Sequence, residues 1–381
     1  MDSDGQIGGL GSFAHTRRPI AQNVLDSPYA KRRHQVRLGM PLNYSGGFSE
    51  AVEEVGALER AGLDVIFVPE AYSFDAVSQL GFLAARTESI QIASGILQIY
   101  TRTPTLTAMT AAGLDYVSGG RFLLGLGASG PQVIEGFHGV PYDAPLARTR
   151  EIVDICRQVW RREKVEHQGK KYQIPLPPDQ GTGLGKPLKL INHPVRDRIP
   201  VLIAALGPKN VEMTAEIAEA WEPIFYYPEK AERVWGDALA AGLAKRDPSL
   251  GSLDVCVGAT LAIGDDVEHA LAGPRATLAL YIGGMGARGK NFYFTLAERY
   301  GFGDEAATIQ DLYLAGRKDE AAAAVPEELV RHTNLIGDES FIRDRLRAYA
   351  EAGVSTLAVN PVAPDAATRV AQVEELKSLL A

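Results

Sequence analysis

Cysteine is scarce in this 381-residue chain, which has only Cys156 and Cys256. Two thiols make no disulfide framework, so both read as small core residues in a reducing compartment. Excess basic charge is lacking too. The 39 Lys and Arg stand against 47 Asp and Glu, giving a net charge of −8 and a pI near 5.5. That excludes a general nucleic-acid binder, which needs a basic field over the phosphates. No apolar run approaches the roughly 18 residues of a membrane-spanning helix. The start, Met1-Asp2-Ser3-Asp4-Gly5-Gln6, has no cationic region ahead of an apolar core. A cytoplasmic protein without membrane contact is expected. The seven histidines never pair with Cys, Asp or Glu at ligand spacing, so no metal site is expected. Neither a Gly-x-Ser-x-Gly elbow nor a Walker-type phosphate loop occurs. With 46% hydrophobic and 23% charged residues, the composition suits a globular enzyme.

Residues 1–35 are rich in Gly and polar residues and carry Arg17, Arg18, Lys31, Arg32 and Arg33. They read as a flexible basic tail, either a solvated extension or an arm that braces a partner. From residue 36 short apolar runs alternate with amphipathic stretches. Strands buried on both faces are predicted at 36–40, 65–68, 90–93, 122–126, 201–204, 224–226, 255–262 and 356–359. Helices are predicted at 49–61, 75–87, 104–118, 148–162, 208–220, 229–245, 339–352 and 365–380. One joint recurs. Glu59-Arg60-Ala61-Gly62 leads into Val65–Val68, and Glu351-Ala352-Gly353 leads into Thr356–Val359. A helix ends on a small residue and a buried strand follows at once, as in a parallel sheet with right-handed crossovers. Eight such units predict a (β/α)8 TIM barrel over 36–381. Its insertions are expected after strands four and seven, at 164–199 (Pro- and Gly-rich) and 265–337 (partly helical). A doubly wound sheet would show a Gly-rich turn after strand one, where the chain instead has Pro41-Leu42-Asn43-Tyr44-Ser45-Gly46-Gly47.

In such a barrel the reactive groups sit just past the carboxyl ends of the strands. Those positions supply Asn43, Tyr44, Glu70, Tyr72, Ser94, Gly95, Ile96, Gln98, Ala128, Ser129, Gly130, Gln132, Ala205, Leu206, Gly207, Pro208, Tyr226, Tyr227 and Asn360. The set is poor in nucleophiles and metal ligands and rich in Gly, Ser and aromatics. It suits a large planar ligand held by backbone amides, with a cofactor carrying the chemistry. Gly127–Gln132 and Leu206–Asn210 read as backbone anion cradles, the second opening a helix with an early proline. Glu70 serves either as a site carboxylate or in a barrel-mouth ion pair with Arg102 or Arg121.

The stretches Ala61–Glu70, Ala84-Ala85-Arg86-Thr87-Glu88, Ser118-Gly119-Gly120-Arg121-Phe122 through Gly127, and Ala205–Pro208 carry a resemblance. Over residues 36–380 the chain resembles the bacterial luciferase-like flavin and deazaflavin oxidoreductases. Ala128–Gly136 and Gly183–Leu190 resemble the branch that uses the deazaflavin coenzyme F420. The resemblance implies a bulge at Ser94-Gly95, with Ile96 beside it, that often holds a non-prolyl cis peptide under the ring. It implies that Ala128, Ser129, Gly130 and Gln132 touch the ring or ribityl chain. Ala205, Leu206, Gly207 and Pro208 would hold the phosphate. Glu70 and Tyr72 fall where members place polar groups near the reactive carbon. Members often carry a His after the acidic residue; here it is Ala71, so Glu70, Tyr72 or Tyr44 would act as acid or base. Asn43, Gln98, Tyr226 and Tyr227 would face the substrate.

The implied reaction is hydride transfer between F420 and an organic substrate with an activated C=C, C=N or alcohol. Aromatic residues of the second insertion, Tyr281, Phe292, Tyr293 and Phe294, would line its pocket. A small-molecule or peptide substrate and a homodimer are expected. Two other readings share the fold: an FMN monooxygenase using O2 and a partner reductase, and a non-catalytic barrel serving as a binding partner.

Overall fold

The computed structural model describes residues 36–43 and 47–380. The basic tail 1–35 and Tyr44 lie outside the described residues. The strands are β1 Arg37–Pro41, β2 Val65–Val68, β3 Gln91–Ser94, β4 Leu97–Gln98, β5 Phe122–Gly127, β6 His167–Gln168, β7 Gln173–Ile174, β8 Val201–Ala204, β9 Ala220–Glu222, β10 Asp254–Ile263, β11 Leu335–Gly337 and β12 Thr356–Pro361. β1, β2, β3, β5, β8, β9, β10 and β12 pair in parallel in that order, and β12 returns to β1. This is the closed eight-stranded barrel that the sequence predicts. β4 continues barrel strand three past a break and pairs with β5. β11 adds to the far end of β10 outside the ring.

The helix–strand joints form as their sequences require. Helix α1 (Phe48–Arg60) is followed by Gly62 at φ +90°, and the helix Glu339–Glu351 by Gly353 at φ +84°. Only glycine takes that conformation at little cost. Glu59, near the end of α1, then accepts hydrogen bonds from the amides of Glu88, Ser89 and Ile90, fixing the entry to β3. Those bonds hold its carboxyl below the ordinary range, against the opposing effect of burial. Helix α2 (Ala76–Arg86) is capped by Asp75, and α3 (Pro104–Val117) by Thr103 with Pro104 in its first turn.

Side chains alternate along the strands. Val65, Phe67, Ala93, Leu123, Leu202, Ala220, Cys256 and Ala358 fill the barrel interior, with Ile96 resting on them. The intervening residues, such as Leu38, Ile66, Ile92, Leu124, Ile203 and Val257, pack outward on the helices. Both cysteines are buried free thiols.

Two expectations need correction. Strand six is not 224–226 but β9, at Ala220–Glu222, because pairing with β8 and β10 ends there. Pro223 has no amide to continue a ladder, and Phe225 turns the chain at φ +52°. The second insertion is far more helical than expected, with helices at Ala272–Gly284, Phe292–Tyr300, Gly303–Leu314, Lys318–Ala323 and Glu327–His332. Its Gly283-Gly284 pair lets the first of these lie against Tyr313 of the third, where an added Cβ would collide with the ring.

Candidate active site

The site is built first from the break in barrel strand three. The Gly95–Ile96 peptide is cis, and the chain bulges inward between β3 and β4. Ser94 is buried, and its hydroxyl both donates to the Gly125 carbonyl at 2.9 Å and accepts from the Gly125 amide at 2.8 Å. Its role is therefore to tie the bulge to β5, which leaves the hydroxyl engaged. The approach is so close that a Cβ at Gly125 would strike the Ser94 carbonyl oxygen, and one at Gly127 would stand 2.8 Å from Ile96. The result is an apolar bed, with partly buried Ile96 over the interior plug.

The two stretches expected to act as amide cradles flank this bed. Ser129 adopts φ +57° just past β5, and Gly130 starts the short helix Pro131–Ile134, with Gln132 exposed in it. The Tyr142 hydroxyl approaches the Ser129 carbonyl at 3.4 Å. The second cradle follows β8. Trp221 Nε1 donates to the Ala205 carbonyl at 2.9 Å, and Trp235 Nε1 to the Leu206 carbonyl at 3.1 Å. In a trans peptide the next amide points opposite to its carbonyl. The two indoles therefore aim the Leu206 and Gly207 N–H groups away from the helical layer. Gly207 then begins the helix Pro208–Ile217 with no side-chain cap. Its carbonyl takes the amides of Asn210 and Val211. The N–H groups of Leu206, Gly207 and Lys209 find no partner among the described residues, at the positive end of the helix. Asn210 Oδ1, in the same turn, is buried without a partner. The Ala205 amide differs from expectation: it donates to the Glu222 carbonyl at 3.2 Å and is not available to a ligand.

The second insertion reaches this rim. Phe292 reaches to 3.9 Å from where a Gly207 Cβ would stand. Phe225, Tyr281 and Tyr293 form one cluster, with ring centroids 4.7 to 6.3 Å apart. Phe225 holds a positive φ that aromatic residues rarely take.

The remaining expected residues divide. Glu70 is engaged in the ion pair: its oxygens meet Arg102 at 2.7 and 2.9 Å, and one also accepts the Ala76 amide. With Asp75 on the same guanidinium, the cluster fixes the start of α2 rather than presenting a free acid. Tyr72 is 71% exposed and lies beside Phe137 on the outer rim. Asn43 is exposed at the end of β1. Gln98 is buried, donates to the Ala71 carbonyl at 3.0 Å, and leaves Oε1 buried and unpartnered. Tyr226 and Tyr227 point into the helical layer, a consequence of the displaced strand six. Tyr226 stacks on Trp235 and donates to the Ala352 carbonyl, while Tyr227 donates to Glu328 at 2.7 Å. Neither faces the barrel mouth. Glu222 escaped the sequence reading, although an acidic residue between Trp221 and Pro223 in an apolar run was the available signal.

Comparison with known proteins identifies the family. The luciferase-like monooxygenase family model matches residues 34–356. The chain belongs to this family. Rv3520c of Mycobacterium tuberculosis, provisionally named a coenzyme F420-dependent oxidoreductase, is 41% identical over 350 residues, covering 91% of this chain and 99% of the relative. The 5,10-methylenetetrahydromethanopterin reductase of Archaeoglobus fulgidus is 27% identical, covering 81% of this chain and 88% of its own. Among solved structures, the coenzyme F420-dependent tetrahydromethanopterin reductase from Methanopyrus kandleri superposes with a TM-score of 0.75 at 22% identity, over 90% of this chain and 98% of that one.

Proposed function

We propose that this protein is an oxidoreductase that binds coenzyme F420 and moves a hydride between it and an organic substrate bearing an activated C=C, C=N or alcohol. The observation that carries the reading is the pair of indole-pinned amides, Leu206 and Gly207, opening an uncapped helix beside the apolar bed of Ile96. A phosphate fits the first, as anions do at helix starts, and a planar ring fits the second. The orphan oxygens of Asn210 and Gln98 offer acceptors to a hydroxyl or ring N–H. When bound, the deazaflavin supplies a two-electron hydride donor or acceptor. The chain's own part is placement: Ile96 bears the ring, Ser129, Gly130 and Gln132 flank it, and Leu206, Gly207 and Lys209 hold the phosphate. Phe225, Tyr281 and Tyr293 form an apolar wall that would exclude water from the substrate side.

Anaerobic oxidation of reduced F420 in the presence of a panel of ketones, enones and imines tests the reading. Turnover without O2 supports it. Turnover only with FMN and O2 would replace it with the monooxygenase reading.

The same proposal includes a homodimer. Phe82 of α2 and Leu106, Met109, Tyr116 and Val117 of α3 are apolar and exposed on neighbouring helices. An apolar face of this kind marks an interface. In light scattering the native protein is expected at twice its chain mass, and the Phe82→Glu/Met109→Glu variant at one chain mass. A native monomer would contradict it.

A further inference from the structure

Glu222 ends β9 on the inner wall of the barrel, at the face where the strands finish. Its neighbours there are Ala204 on β8 and, one step below, Leu202 and Ala220 of the interior plug. Gly258 also faces inward, on the adjoining β10, and a Cβ built on it meets nothing within 4 Å. The wall at this level therefore opens on empty space. Glu222 is partly exposed, and no hydrogen bond or ion pair reaches its carboxyl among the described residues. Three residues further on, Phe225 turns its ring to Tyr281 and Tyr293.

We propose that Glu222 is the catalytic acid and base of the hydride-transfer reaction, giving a proton to the substrate heteroatom as hydride reaches carbon and taking it back in reverse. The proposal rests on the deazaflavin reading above. Other candidates are spent: Arg102 occupies Glu70, and Tyr72 lies on the outer rim. Burial pushes Tyr293 up to about 12, which makes it a poor donor near neutrality. Burial also raises Glu222, to about 7, where a general acid is most useful. The titratable neighbour is Cys256 of β10, its thiol held well above its ordinary range by burial and then by Glu222. Arg37 and Asp254 act on that thiol from the barrel floor. β8 and β12 bring Ala204, Thr356 and Asn360, which do not titrate.

For a carbonyl substrate the balance is as follows. The hydride and its electron pair come from the reduced deazaflavin, which is oxidised by two electrons. The C=O π bond breaks, and a C–H bond forms. The Glu222 proton completes an O–H bond. The carboxylate left behind regains a proton from solvent, which receives in exchange the N–H proton that the deazaflavin gives up on oxidation.

The test is infrared difference spectroscopy of the full chain between about pH 5 and about pH 9. The native protein and Glu222→Gln are compared, each free and saturated with oxidised F420. The native protein is expected to lose a carboxylic-acid C=O band near neutrality, the variant to lack that band, and F420 to displace it. With reduced F420 and a substrate that turns over, Glu222→Gln is expected to lower kcat about 100-fold. It should also abolish the fall in rate above neutral pH, and Glu222→Asp should restore part of the rate. F420 affinity should change less than about threefold, the group being a proton donor and not an anchor. Thermal unfolding supplies the fold control. A carboxyl raised from 4.5 to about 7 on folding gives stability present below 4.5 and lost as the pH climbs to about 7. Glu222→Gln should therefore gain on the native protein as pH rises. Failure of the native protein to bind F420 would bring down the cofactor reading itself. Binding of F420 with no band distinguishing Glu222→Gln, or a band that F420 does not move, would overturn the role of Glu222 alone.

Discussion

Gly207→Asp is expected to reduce F420 affinity by about 100-fold or more while leaving the fold slightly more stable, and the opposite signs are the point. Gly207 has φ −71° and ψ 148°, an extended conformation open to any residue, and the nearest side chain to its missing Cβ is 3.9 Å away. Aspartate there folds without strain. It would accept the orphan amides of the first helical turn and add roughly 0.5–1 kcal/mol of capping and dipole stabilisation. The same carboxylate would occupy and charge the cradle that the cofactor phosphate needs. A 100-fold loss is about 2.7 kcal/mol, well within reach of like-charge repulsion at a desolvated anion site. Fluorescence titration with F420 and thermal unfolding of the apoprotein give the two readouts. Unchanged affinity would show that the phosphate lies elsewhere.

Arg121→Ala is expected to cost about 3–5 kcal/mol of stability, because several buried acceptors lose their donor at about 1–3 kcal/mol apiece and only some of them can rehydrate. The guanidinium is buried and donates to the carbonyls of Ala84, Thr87, Ile90 and Ser118 and to the Thr87 hydroxyl. These bonds join the end of α2, the start of β3 and the end of α3. Removing the donors leaves those carbonyls dry and unpaired. Arg121→Lys should recover little, because one ammonium cannot reproduce the planar fork. Equilibrium urea unfolding measures both variants, and a loss below 1 kcal/mol for Arg121→Ala would refute this account of the residue.

That network also explains what was legible in the sequence. The stretches Ala84–Glu88 and Ser118–Phe122 suggest the family, and in the fold they are one hydrogen-bonded unit with Arg121 at its centre. The barrel itself was legible because its joints are local: Gly62 and Gly353 each close a helix and open a strand within a few residues. Strand six was not. Ile224-Phe225-Tyr226 has strong strand propensity, but the ladder is set by register with β8 and β10, a long-range property that stops at Glu222. Shifting that strand moved Tyr226 and Tyr227 to the helical layer and brought Glu222 to the mouth. Ala205 shows the same limit on a smaller scale, since its amide is claimed by the Glu222 carbonyl through pairing that no local motif reports. The sequence offers arginines such as Arg102 and Arg121 as partners of Glu70. Only the packing of α2 against the start of α3 decides for Arg102.

Equilibrium titration of the purified protein with F420 and, separately, with FMN tests the central claim most directly, followed by absorbance and fluorescence. The indole-pinned cradle and the apolar bed predict saturable binding of F420, weakened by Gly207→Asp, with FMN binding markedly weaker. No saturable F420 binding, or tight binding of FMN alone, would contradict it.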